Sequence, residues 1–62
     1  MISQYDKVKL KSGSFAIIVE VLEHQKAYIA DIELSEGDYT TETIMFSDIA
    51  ATIVEVEHPI AI

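Results

Sequence analysis

The sequence predicts a single all-β domain built from five short strands, with one 3₁₀ turn before the last strand. Apolar and polar residues alternate in short segments, as they do along half-buried strands. Polar connections containing Gly13 and Gly37 separate several of these segments and are typical of tight turns. With 62 residues and no cysteine, the chain has room for one domain with a small core and no disulfide support.

The first predicted strand is YDKVKLK, residues 5–11, in which Val8 and Leu10 alternate with three lysines. These are Lys7, Lys9 and Lys11. One face of the strand is therefore apolar and the other carries a row of ammonium groups. Such a row is typical of an edge strand, where it hinders association between sheets. Alternatively, it contacts an acidic partner or pairs with Glu20 and Glu55 on neighbouring strands.

The second predicted strand, FAIIVEVL over residues 15–22, is apolar on both faces. A parallel strand buried on both faces would need crossover helices, for which this chain has no space. The pattern instead predicts a long, bent strand that crosses the core of a closed barrel. Its inward-facing side chains change parity at a bulge, which we place at Ala16–Ile18.

The third predicted strand is AYIADIEL, residues 27–34, whose alternation is regular. The polar residues 23–26 before it are interpreted as a hairpin connection. After it, SEGD at residues 35–38 predicts a turn in which Gly37 adopts a left-handed conformation.

The fourth predicted strand, YTTETIMF over residues 39–46, is rich in β-branched and aromatic residues. The sequence leaves open whether Ile44 or Met45 faces the core. A 3₁₀ turn is predicted at residues 47–50, followed by a final strand from Ala51 to Glu57.

A helix is the alternative for the last third of the chain, because Ser47 is a suitable N-cap residue. Such a helix would carry Ile49, Ile53 and Val56 on one side. The β-branched residues of TIVEV, residues 52–56, favour the strand.

The order of these elements resembles the small SH3-like barrels, a group that includes KOW-type and Tudor-type domains and uncharacterised bacterial single-domain proteins. The resemblance is carried by YDKVKL, AIIVEVL, AYIADIEL and FSDIAATIVEV and spans about residues 5–56. It implies a closed five-stranded barrel filled by its own side chains. Family members that bind nucleic acid usually have basic or aromatic-rich loops, and those that read histones have an aromatic cage. Here the loops are acidic and tryptophan is absent.

Eleven acidic residues and four lysines give the chain a net charge of −7, and three of the lysines lie in residues 7–11. An acidic surface repels a phosphate backbone, so direct nucleic-acid binding is not expected. A basic protein surface is the partner that the charge favours. The predicted partner contacts are Glu33, Glu36, Asp38 and Glu42, with Ile60 and Ile62 as apolar anchors.

No catalytic residue, metal ligand or cofactor is predicted. The carboxylates of Asp31, Glu33 and Glu42 have part of the spacing of a calcium-binding loop, but the glycine, Gly37, is one position too late. Glu20, Asp31 and Glu33 could form an acid pair, yet a barrel of this size has no room for a substrate pocket. His24 and His58 have no surrounding pattern of a triad or zinc site.

The C-terminal tail, residues 58–62, ends in PIAI, whose apolar side chains favour either a cover for the barrel end or contact with a second subunit. The chain has neither a signal-peptide pattern nor an apolar run long enough to cross a membrane, so we expect a cytoplasmic protein without membrane contact. The predicted function is a non-catalytic protein-interaction module of the antitoxin, immunity or phage host-takeover type. A self-associating subunit, or a nucleic-acid mimic that blocks a DNA-binding protein, is the alternative.

Overall fold

A computed structural model describes residues 2–35 and 37–53 of the chain. Five antiparallel strands form one sheet, which confirms the predicted all-β class. The elements are β1 (Lys7–Leu10), β2 (Phe15–Glu23), β3 (Ala27–Ser35), β4 (Asp38–Met45), a 3₁₀ turn (Phe46–Asp48) and β5 (Ile49–Ile53). None of the helical residues in this part of the chain forms a segment long and apolar enough to span a membrane.

The strands lie in the order β4-β3-β2-β1-β5. Strands β1 to β4 form a meander, and β5 returns to pair with β1 on its other side. Strands β4 and β5 are therefore the two edges. Within residues 2–35 and 37–53 they make no pairing with each other, so the sheet is open there and the predicted barrel closure is not found.

Three of the tight turns contain a residue with a positive φ. The β1–β2 turn has Gly13 at φ 100°, and the β3–β4 turn has Gly37 at φ 85°, as the sequence predicts. The β2–β3 turn instead contains Gln25 at φ 62°. This turn lacks the glycine that would have marked it in the sequence.

Strand β2 has two bulges against β3, at Val19 and at Leu22, and neither lies at Ala16–Ile18 as predicted. Ile18 is opposite Ala30, and the next paired residue, Glu20, is opposite Ile29, so Val19 is the extra residue. The Gln4 amide Nε2 donates a 3.0 Å hydrogen bond to the Val19 carbonyl, which gives the bulge a partner outside the sheet.

The bulge at Val19 changes whether even-numbered or odd-numbered residues of β2 face inward. Before it, Ala16 and Ile18 are buried; after it, Val21 packs against the core. Because both parities contribute to the core in different parts of the strand, part of the unusual apolar character of β2 is explained. The other part is an outer face that stays exposed, as described below.

The core lies on one face of the sheet, which we call the inner face. Its buried residues come from all strands except β5 and from the N-terminal segment. They are Ile2, Val8, Leu10, Ala16, Ile18, Tyr28, Ala30 and Ile44. Val8, Ile18 and Ala30 are 0% exposed although no second sheet covers them, so the sheet must curl around its own side chains.

The last described elements differ in their bounds from the prediction. The 3₁₀ turn is at residues 46–48 instead of 47–50, because the Asp48 carboxylate accepts a 2.9 Å hydrogen bond from the Met45 backbone N–H at its start. Strand β5 already begins at Ile49, so the helix alternative is wrong over Ile49–Ile53. The remainder of the predicted strand, residues 54–57, lies outside the described residues.

Candidate interaction surface

The predicted acidic contacts do not share one face of the sheet. Glu33 is paired with Tyr39 on the outer face, opposite to the core, whereas Glu42 is paired with the buried Ala30 and belongs to the inner parity. Successive side chains of β3 and of β4 point to opposite faces of the sheet, so acidic residues that are close in the sequence lie on different faces. One flat partner surface can therefore contact Glu33 or Glu42, but not both.

Asp38 is exposed at the start of β4, where its carboxylate Oδ2 accepts a 3.0 Å hydrogen bond from the Ser35 hydroxyl. This bond closes the end of the β3–β4 hairpin beside Glu33. The other predicted contacts, Glu36, Ile60 and Ile62, lie outside the described residues.

The carboxylates considered as a calcium loop do not converge. Asp31 lies on the outer face, where it accepts a short hydrogen bond from the Thr41 hydroxyl, whereas Glu42 has the inner parity. The described residues contain no group of three or more side chains placed to hold a metal ion. His24 is exposed in the β2–β3 turn, as predicted, and His58 is not among the described residues.

The lysine row is not on an edge strand, so the interpretation of it as edge protection is wrong. Strand β1 is hydrogen-bonded on both sides, to β2 and to β5. Nor does Glu20 face the row: Lys7 is opposite Ile17, and Lys9 is opposite Phe15. Glu55 lies outside the described part.

Instead of forming ion pairs, the first two lysines lie over an aromatic ring. The Lys7 ammonium is 5.3 Å from the centroid of the Phe15 ring, and the Lys9 ammonium is 5.8 Å from it. Both distances are within the range of a cation–π interaction. Among the described residues, the one ion pair is between Lys26 and Glu23, at 3.6 Å.

The outer face exposes large apolar side chains on the central strand β2 and on the edge strand β4. Phe15 is 37% exposed, Ile17 38% and Tyr39 54%. We call these three residues the outer patch. They surround a small depression that Lys7 and Glu33 also line. Large exposed apolar groups that lie together on a soluble domain mark interaction sites.

A second groove continues the outer patch towards the edge strand β5. It is an open depression of about 330 Å³, lined by Tyr5, Asp6, Lys7, Ile17 and Ile53. Tyr5 is 73% exposed and has a φ of 71°, held in place by the 2.6 Å hydrogen bond from its backbone N–H to the Ile18 carbonyl. This groove is wide open and forms no enclosed chamber for a substrate.

The sequence did not single out the outer patch as a surface. The pattern FAIIVEVL is apolar at both parities, so it did not indicate which parity faces outward at Phe15 and Ile17. The available signal was their pairing with the lysine strand. Residues opposite each other in neighbouring strands share a face, so side chains opposite Lys7 and Lys9 had to face outward.

Comparison of the chain with protein-family models, with curated proteins and with solved structures found no match.

Proposed function

We propose that this chain is a non-catalytic protein-interaction module with an SH3-like arrangement of strands, and that it binds a protein partner through its outer face. The observation that carries the proposal is the outer patch, in which Phe15 and Ile17 on the central strand β2 and Tyr39 on the edge strand β4 are exposed around one depression. Aromatic side chains are enriched at protein interfaces, where they bury a large area with little loss of conformational freedom.

An SH3-like fold is supported by the strand order and by the 3₁₀ turn that precedes β5. Closure of the sheet into a barrel would bring its edges, β4 and β5, together. In the proposal, the inner face serves stability alone, since it is filled by packed side chains, and the outer face is left for binding.

The chemistry of the partner follows from the charges around Tyr39. Glu33 is its cross-strand neighbour, and Asp38 precedes it in the chain. A basic protein surface with an apolar centre therefore complements this side of the outer patch. Of the four predicted acidic contacts, Glu33 lies beside Tyr39 on the outer face, whereas Asp38 and Glu42 have the inner parity of β4.

Variants on the two faces test this proposal. The immobilised chain is used to isolate partner proteins, and each purified partner is then titrated with the wild type, Glu33→Gln, Tyr39→Ala and Glu42→Gln. We expect Tyr39→Ala and Glu33→Gln to weaken binding by about tenfold, and Glu42→Gln to leave it unchanged. Raising the salt concentration from about 0.05 M to about 0.5 M should also weaken binding.

Binding that does not respond to salt, or that Glu42→Gln weakens as much as Glu33→Gln, would refute the outer face as the contact surface. The roles suggested by analogy, such as antitoxin, immunity or host takeover, differ only in which protein is bound. A nucleic-acid mimic is a special case in which the partner itself binds DNA. Competition between duplex DNA and this chain for the isolated partner would identify that case, and simultaneous binding would exclude it.

A further inference from the structure

The outer face carries opposite charges on the two strands that flank β2. Lys7, on β1, is opposite Ile17, and Ile17 is in turn opposite Asp31 on β3. Across the sheet, this row therefore runs from a positive charge, through an apolar residue, to a negative charge.

The neighbouring row repeats the same order. Lys9 is opposite Phe15. Strands β2 and β3 are antiparallel and Ala16 is opposite Ile32, so the residue before Ala16, Phe15, lies beside the residue after Ile32, Glu33. Glu33 in turn pairs with Tyr39 on β4. In both rows the apolar residue on β2 is the centre, with a cation on one side and a carboxylate on the other.

These charges are not neutralised within the described part of the chain. Neighbouring strands lie about 4.8 Å apart, so β1 and β3 are separated by about 10 Å. The Lys7 and Lys9 ammonium groups lie over the Phe15 ring and not against a carboxylate, and the one ion pair in the described ranges is elsewhere. The outer face thus presents two separated charge rows to whatever covers it.

We propose that the outer face binds a second copy of this chain, face to face, with a twofold axis that runs along β2. Rotation about this axis places β1 of one copy over β3 of the other. Lys7 then faces Asp31 of the second copy and Lys9 faces its Glu33, and both contacts occur twice. The inference rests on the proposed function and names its partner: the basic surface that Glu33 meets is the lysine row of a second copy.

The same operation brings the apolar residues together. Phe15 and Ile17 lie on the axis, so each contacts its own counterpart once the two lysine ammonium groups over the Phe15 ring move to the facing carboxylates. The row through Phe15 begins at Tyr39 on the edge strand β4 and ends at Ala51 on the edge strand β5. The rotation exchanges the two ends of the row, so Tyr39 of one copy covers Ala51 of the other. The interface therefore has an apolar centre with charged pairs on both sides, which is the usual anatomy of a specific interface.

The charge pattern selects this axis over the other face-to-face arrangement. A twofold axis perpendicular to the strands would place β1 over β1 and β3 over β3. Lysine would then face lysine, and carboxylate would face carboxylate, and this repulsion opposes association. Packing with the strands nearly aligned is also a common arrangement for two sheets.

The area of the face sets the expected affinity. In this arrangement β1 and β5 of one copy cover β3 and β4 of the other. Because β1 and β5 have only four and five residues, the contact is about 20 Å wide and about 15 Å long, or roughly 300 Å² per subunit. Stable interfaces of standard size use about 800 Å² per partner. The contact is smaller than that, so a weak dimer is expected, and association has to be measured up to a concentration of about 0.5 mM.

A charge-swap experiment tests the dimer. Sedimentation equilibrium is measured for the full wild-type chain, for Lys9→Glu, for Glu33→Lys, and for an equimolar mixture of the two variants. We expect the wild type to dimerise, and each variant alone to dimerise at least about tenfold more weakly, because like charges then face each other. The mixture should recover dimers, since every Lys9–Glu33 contact is restored with one charge of each sign.

The matched control is Glu42→Lys, which makes the same change in net charge as Glu33→Lys but on the inner parity, and should leave the dimer unchanged. Lys9 and Glu42 are exposed and Glu33 is half-buried, so each variant is checked for its fold by circular dichroism. A wild type that remains monomeric at about 0.5 mM would refute the inference. So would variants that dimerise as well as the wild type, or a mixture that stays monomeric while both variants are folded.

The two proposals fail in different ways. A monomeric wild type that still binds a different protein through Tyr39 and Glu33 would refute the dimer and retain the interaction module. A wild type that is monomeric and whose partner binding ignores both substitutions would refute both.

Discussion

The backbone N–H of Gln25 donates a 3.1 Å hydrogen bond to the hydroxyl of Tyr28. Tyr28 is only 1% exposed, and Gln25 has a φ of 62°. The buried ring therefore reaches from the core to the β2–β3 turn and gives a partner to the backbone of a residue in an unfavourable conformation. The hydrogen bond satisfies the backbone donor of this turn, whereas the steric cost of a positive φ at a residue with a Cβ atom remains.

Replacing Tyr28 with phenylalanine should lower the free energy of unfolding by about 0.5–1.5 kcal/mol. The ring stays in the core, but the part-buried Gln25 N–H loses its acceptor. Urea denaturation measures the loss. Tyr39→Phe is the control, because Tyr39 is exposed and should change stability by less than about 0.5 kcal/mol. Equal losses in the two variants would contradict this role of the Tyr28 hydroxyl.

Gln25→Gly should stabilise the protein by about 0.5–1 kcal/mol. A left-handed conformation is unfavourable for a residue with a Cβ atom, and glycine removes that cost. The neighbouring Lys26→Gly is the control, since Lys26 is not at a positive φ and should lose stability through the added freedom of the unfolded chain. Thermal denaturation compares them. Destabilisation by Gln25→Gly would mean that the turn does not need its left-handed residue.

Gly13→Ala should destabilise the protein by about 1 kcal/mol through the backbone alone. A Cβ atom at Gly13 would meet nothing within 4 Å, so crowding contributes nothing, but the φ of 100° is unfavourable for an L-residue. Chemical synthesis with D-alanine at position 13 provides the control, because a D-residue favours positive φ and should stabilise the turn. If both alanine forms destabilise equally, the cause is not the backbone conformation.

Adjacent isoleucines in β2 should respond differently to the same change. Ile18 is 0% exposed on the inner face and Ile17 is 38% exposed on the outer face. We expect Ile18→Val to cost about 0.5–1.5 kcal/mol and Ile17→Val less than about 0.5 kcal/mol. Denaturation is measured at low micromolar concentration, where association through the outer face contributes little. A larger loss of stability for Ile17→Val than for Ile18→Val would mean that Ile17, and not Ile18, faces the core.

The local features of this fold could be predicted from the sequence. Alternation in YDKVKLK and AYIADIEL predicted strands close to β1 and β3, and Gly13 and Gly37 marked their turns. Both signals act over a few residues, because the facing of a strand and the φ of a glycine are set by the local backbone. The β2–β3 turn was located from its polar residues, while its positive φ at Gln25 had no local signal.

The candidate surface was less accessible to the sequence. The acidic contacts Glu33 and Glu42 were grouped because they are close in the chain, yet pairing of β3 with β4 places them on opposite faces. The lysine strand was taken for an edge, yet β5 returns to pair with it from the far end of the chain. The apolar pattern of β2 did not indicate which parity faces outward, yet pairing with β1 places Phe15 and Ile17 beside the lysines on the outer face.

The sequence by itself determined the strands, most of the turns and the acidic character of this protein. The tertiary structure alone decided the position of the bulge at Val19, the central place of β1, and the face on which each charged residue lies. The physical reason is that a one-residue shift in register reverses the facing of every side chain in a strand. Register is fixed by contacts between strands that are distant in the sequence, and so it is absent from any short segment of it.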